Sequence, residues 1–151
     1  VNKNTFSYEA IWECAIKDFV LPEPTEHGPS HWKRVEQNGL ILAQKNGARE
    51  DVVRLFAVFH DSKRRSEFDD PDHGRRGADF AKQLRNVLYQ IDDTGFDLLY
   101  KACEIHTSAK TCTDITIGTC LDADRLDLGR VGIEPDEAYM STEYGRLLTS
   151  R

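Results

Sequence analysis

Apolar residues recur along most of the chain at intervals of three and four, the spacing that lines one face of an α-helix. Phe6, Ala10, Ile11, Cys14 and Phe19 mark a first helical segment, and Val52, Val53, Phe56, Ala57 and Phe59 mark a third. Between them, Gly28-Pro29-Ser30 introduces a helix with His31 in its opening turn. Ala78, Ala81, Leu84, Val87, Leu88 and Ile91 make the strongest stripe, which predicts one helix opening near His73 and continuing to Ile91. Phe96, Leu99, Cys103 and Ile105 outline another. Only Thr113–Thr119 has strand-like composition, and its neighbours favour a loop leading into a helix. Gly, Pro and Asp concentrate in Leu21–Ser30, Phe68–Gly74 and Gly132–Asp136, which read as loops. The pattern predicts an all-α fold of six or seven helices in one domain over residues 1–151, with 136–151 as a terminal packing segment.

Composition narrows the class. Of the 151 residues 39% are hydrophobic and 30% charged, too apolar for a disordered chain and too interrupted by charge for a membrane one. Twenty Lys and Arg face 26 Asp and Glu, a net charge of −6, so no overall positive field favours nonspecific nucleic-acid binding. Cys14, Cys103, Cys112 and Cys120 have neither CxxC nor zinc-finger spacing. They read as small hydrophobes in a reducing, cytoplasmic protein, and the N-terminal residues do not resemble a signal peptide.

Phosphate-loop, dinucleotide-binding, nucleophile-elbow and HExxH motifs are all absent from the sequence. The histidines carry the chemical signal instead, since His27, His31, His60, His73 and His106 all fall at segment ends or loop edges. His60 and Asp61 follow an apolar helix, and adjacent side chains about 100° apart can reach one ion beyond its last turn. Imidazole with carboxylate suits a divalent transition metal. His31 offers a third ligand and the cluster Asp122, Asp124, Asp127 a fourth; these aspartates also fit a solvated face paired with Arg125 and Arg130. His27 is cut off from His31 by Gly28-Pro29 and reads as a loop or supporting histidine.

The order His31, His60-Asp61, Asp124 resembles the HD-domain superfamily of metal-dependent phosphohydrolases. The resemblance covers residues 25–135 and is carried by His-Trp-Lys-Arg-Val at 31–35, Phe-His-Asp-Ser at 59–62, His-Gly-Arg-Arg-Gly-Ala at 73–78, Ile-His-Thr at 105–107 and Asp-Ala-Asp-Arg-Leu-Asp at 122–127. It implies a helical core in which His31, His60, Asp61 and Asp124 hold the metal, the late aspartate being the one directly before a basic residue. His73 and His106 match positions that ligate a second metal in the dinuclear branch and line the substrate pocket in mononuclear members. One tightly held ion with a polar second pocket is the preferred expectation, a second ion at His73 and His106 the alternative.

The chemistry expected from that set is hydrolysis of a small phosphorylated substrate, such as a nucleotide or a simple ester. Manganese, cobalt, nickel, iron or zinc would activate water, with Asp61 holding the attacking water and His73 or His106 moving protons or binding phosphate. Arg64, Arg76 and Arg125 each follow a ligand or pocket histidine within a few residues and are the expected phosphate-binding cations. Two other classes remain: a dinuclear iron oxygenase using the six residues His31, His60, Asp61, His73, His106 and Asp124, and a non-catalytic binding module with a structural metal.

Overall fold

Local chemistry sets the helix boundaries in the computed structural model, which describes residues 7–149. The Ser7 hydroxyl accepts from Ala10 N and starts α1 (Tyr8–Asp18). Pro29 occupies the first turn of α2 (Pro29–Asn46), where its missing N–H costs nothing. Then come α3 (Glu50–Phe59), α4 (His73–Leu84), α5 (Asp93–Ile105) and α6 (Ile115–Arg125), whose first turn is capped by the Asp114 carboxylate accepting from Ile117 N at 2.9 Å. Two short 3₁₀ turns, Leu128–Val131 and Glu137–Tyr139, lead to α7 (Glu143–Thr149). Among the described residues there is no strand, and no helix is long and apolar enough to cross a membrane. The all-α expectation therefore holds, and Thr113–Thr119 does lead into a helix; Phe6 and the terminal Arg151 lie outside the described residues.

Helix α3 is the axis of the molecule. Seven of its ten residues, Val52, Val53 and Leu55–Phe59, are buried, as expected for a helix apolar on nearly every side. α1, α2, α4, α5 and α6 all pack on it, so its C-terminal end opens into the middle of the protein rather than into solvent. α4 approaches that end closely through glycine. A Cβ at Gly77 would strike the Phe59 carbonyl, and one at Gly74 would strike the Cys103 carbonyl and come within 3.1 Å of the His106 ring. These two contacts bring the start of α4, with His73, against the ends of α3 and α5.

One predicted element is shorter than its pattern. α4 stops at Leu84, and Asn86 takes a left-handed conformation at φ 67°. The chain reverses there, with Asn86 N donating to Tyr89 O at 2.7 Å. The reversal buries Tyr89 and Ile91, lets the Tyr89 hydroxyl donate to the Ala81 carbonyl, and leaves Val87 72% exposed. Residues 84–91 thus satisfy helical spacing while a turn buries Leu84, Tyr89 and Ile91 and leaves Val87 outside.

The described part of the C-terminal segment is held by a buried carboxylate. Asp122 accepts from Ser141 N, Thr142 N and the Thr142 hydroxyl at 2.7–2.8 Å, which docks α7 beside α2 and α6. Cys103 and Cys120 are fully buried, and burial holds both thiols protonated, well above their ordinary range.

Candidate metal centre

Five helix ends meet at one point. His31 comes from the first turn of α2, His60 and Asp61 from the turn that closes α3, His73 from the first residue of α4 and His106 from the residue that closes α5. Asp124 projects from the last turn of α6. All four histidines and Asp61 are 2% exposed or less.

The outward nitrogen of each imidazole is tied to an acceptor. His60 Nδ1 lies 3.0 Å from the Ala57 carbonyl, His73 Nδ1 2.6 Å from the Asp70 carbonyl, and His106 Nδ1 2.7 Å from the Cys103 carbonyl. His31 Nδ1 lies 2.7 Å from the Asp127 carboxylate. Carbonyls and carboxylates only accept, so in each ring Nδ1 carries the proton and Nε2 is the atom left to face the centre. Backbone and carboxylate partners of this kind fix both the tautomer and the ring orientation that metal-ligating histidines need.

The inward atoms form two groups that share one carboxylate. In the first, His31 Nε2 is 3.1 Å from His60 Nε2, 3.3 Å from Asp61 Oδ2 and 3.1 Å from Asp124 Oδ1. His60 Nε2 is 3.5 Å from Asp61 Oδ2 and 3.4 Å from Asp124 Oδ1. In the second, Asp61 Oδ1 is 3.0 Å from His73 Nε2 and 3.3 Å from His106 Nε2, and those two nitrogens are 3.0 Å apart. Neighbouring donors bound at right angles to one ion at about 2.1 Å are themselves about 3 Å apart, so both groups have the spacing of a coordination shell. Either group can hold a metal ion.

Electrostatics agree with the donor geometry. Burial alone would push Asp61 and Asp124 up, yet the surrounding histidines hold both well below the usual carboxylate range. Burial is also the largest influence on His31, and opposes its charge; hydrogen bonds to Asp124, Asp127 and Asp61 together outweigh it and push the ring up to about 10. The pocket thus calls for positive charge, which the protein alone supplies as a proton on His31. Without that proton, with His31 and His60 protonated on Nδ1 alone, no donor reaches the buried Asp124 Oδ1. An orphaned carboxylate oxygen aimed at two imidazole nitrogens fits a divalent cation, and imidazole donors favour a transition metal over calcium.

A cavity of about 790 Å³ opens onto this centre, with His27, Asp61, Arg64, His73, His106 and Asp124 on its floor. The three expected phosphate-binding arginines separate here. Arg64 is 8% exposed and borders the cavity. Its Nε and Nη2 donate to the Ser66 and Phe68 carbonyls at 2.8 and 2.6 Å. Its Nη1 lies 3.2 Å from both ring nitrogens of His73, which places it over the ring face, since an in-plane position would collide with the intervening carbon. Among the described residues no ion pair engages Arg64. Arg76 lies elsewhere, donating to the Lys63 carbonyl at 3.1 Å and pairing with Asp70 at 2.5 Å, where it braces the 63–70 loop. Arg125 borders the cavity but is consumed by the carbonyls of His106, Ala109, Lys110 and Tyr139. Arg76 is held by the Lys63 carbonyl and Asp70, and Arg125 by four carbonyls; Arg64 is held by carbonyls through Nε and Nη2, which leaves its Nη1, beside His73 at the cavity, engaged by no carbonyl or carboxylate among the described residues.

Comparison with protein-family models, curated proteins and solved structures yields no match for this chain. Two residues gain roles beyond their sequence reading. Asp127 is not a ligand but the partner of His31, and is itself held by Arg34 Nε at 2.8 Å. His27 donates from Nε2 to the Glu67 carbonyl at 2.9 Å, which leaves Nδ1 bare, buried and without a hydrogen-bond partner, 3.7 Å from Asp61 Oδ2. Its signal was only proximity to His31 across Gly28-Pro29. Asp122, the third aspartate of the cluster, serves the C-terminal segment instead.

Proposed function

We propose that the protein is a metal-dependent phosphohydrolase of the HD-domain kind. The observation that carries this reading is the set of four imidazoles, each locked through Nδ1, whose Nε2 atoms converge with two ionised carboxylates below a cavity that also holds an unpaired Arg64 guanidinium. His31, His60, Asp61 and Asp124 would hold the tighter ion, and Asp61, His73 and His106 a weaker second one. Bound there, a divalent transition metal supplies a polarised phosphoryl oxygen and an acidified water. Arg64 binds a phosphoryl oxygen and balances the charge that builds on it. His27 Nδ1, a bare acceptor on the cavity wall, receives a proton from the attacking water. Asp127 keeps His31 in the ligating tautomer, and burial of the cluster keeps bulk water away from it.

The test is phosphate release from a panel of nucleotides and simple esters, before and after chelation, with elemental analysis of protein purified without added metal. Metal-dependent release supports the reading; full turnover in excess chelator contradicts it. A second reading, a dinuclear iron oxygenase, is favoured by one specific feature: the two oxygens of Asp61 face two different donor groups. Two irons per chain with dioxygen-dependent turnover, and no phosphate release, would establish it instead.

A further inference from the structure

The cavity changes character between floor and mouth. Above the polar floor, its outer wall is built by residues 128–140, including Leu128, Val131, Ile133, Tyr139 and Met140. Val131, Ile133 and Tyr139 are 42, 53 and 50% exposed, three large apolar side chains turned to solvent around one opening. Apolar surface gathered in this way marks a binding site more often than chance exposure does. The wall is held in place: Arg125 grips the Tyr139 carbonyl at 2.8 Å, and Arg130 grips the carbonyls of Glu26 and Asp127 at 2.7 and 2.9 Å.

Charge is distributed just as unevenly. Arg125 and Arg130 donate to carbonyls, as do Nε and Nη2 of Arg64, which leaves the Arg64 Nη1 on the floor and Lys110 at the rim, where its ammonium sits 5.5 Å from the centre of the Tyr139 ring. Glu134 and Asp136 line the same outer region and repel further negative charge. The floor offers Arg64 Nη1 as a partner for one phosphate. A chain of phosphates reaching outward would meet apolar side chains and carboxylates.

We propose that the substrate is a phosphate monoester whose leaving group is an uncharged, largely apolar body of ring size, selected by Val131, Ile133 and Tyr139. This rests on the phosphohydrolase reading above. Hydrolysis forms a P–O bond to water and breaks the P–O bond to the leaving group; one water proton ends on the leaving alcohol, the other stays with phosphate. The wall contributes by taking the apolar body out of water.

Binding of two non-hydrolysable probes to the manganese-loaded protein tests the proposal without relying on turnover. Phenylphosphonate should bind about tenfold more tightly than methylphosphonate by calorimetry, the scale of discrimination expected from one apolar pocket. In Val131→Ser/Ile133→Ser the two probes should bind within about threefold of each other, with metal content unchanged and a normal melting curve. Naphthyl phosphate should likewise exceed glycerol phosphate and ATP in kcat/KM. Equal binding of the two phosphonates, retention of the preference in the double variant, or a preference for ATP would overturn this inference while leaving phosphohydrolase activity intact. No binding of either probe and no release from any ester would overturn both.

Discussion

At the scale of single residues, the centre depends on groups that would never touch a metal. Four acceptors decide which nitrogen of each histidine faces inward, and three of them are main-chain carbonyls that no substitution removes. Asp127 is the exception, because its side chain does for His31 what backbone does for the others. Burial raises the Asp127 carboxyl, but His31 and Arg34 bring it below its ordinary range, so it stays charged beside the ring. Asp127→Ala should therefore weaken metal binding by about 10–100-fold, read from a competition titration, with the fold retained; unchanged affinity would remove Asp127 from the centre. In the proposed reaction Arg64 binds the phosphoryl group, so Arg64→Met should keep its metal and lose about 10²–10³-fold in kcat/KM for a phosphate ester. Loss of metal in that variant would instead make Arg64 a structural brace.

At the scale of elements, α3 and α4 position the donors, and they differ in how far their sequences disclose it. α3 is apolar on nearly every side, so a His-Asp pair at its end had to emerge in the interior, and the doublet was legible for that reason. The end of α4 was not, because Leu84, Leu88 and Ile91 fit helical spacing, while the turn that buries Tyr89 depends on the Ala81 carbonyl and the left-handed Asn86. Arg76 and Arg125 show a related limit: nearness to a ligand in sequence cannot reveal which carbonyls the folded chain aims at a guanidinium. The apolar wall of 128–140 has no periodicity to detect. Gly77 makes the α3–α4 contact testable. Gly77→Ala forces a methyl against the Phe59 carbonyl and should cost about 1–3 kcal/mol, lowering Tm by several degrees. It should also weaken the second ion, since α4 carries His73; an unchanged Tm would mean that the helices separate freely.

At the scale of the whole molecule, five helices, α2 to α6, converge on a cluster that places two ionised carboxylates in the interior, a costly arrangement unless a cation completes it. An ion held there would therefore link metal binding to folding. Manganese at a hundred times its Kd should stabilise the protein by about 2.7 kcal/mol, seen as a higher Tm in scanning calorimetry and reversed by chelation, with calcium much less effective. Equal stabilisation by calcium would argue against imidazole ligation. The central claim is that one buried cluster binds divalent metal in two groups joined by Asp61, and metal stoichiometry tests it most directly. Elemental analysis after titration with manganese should find one tightly held ion per chain and a second at higher concentration. His73→Ala and His106→Ala should stop at one ion, and Asp61→Ala and Asp124→Ala should lose the tight one. A wild-type protein that takes up no divalent ion, or an Asp124→Ala variant that binds as wild type does, would contradict it.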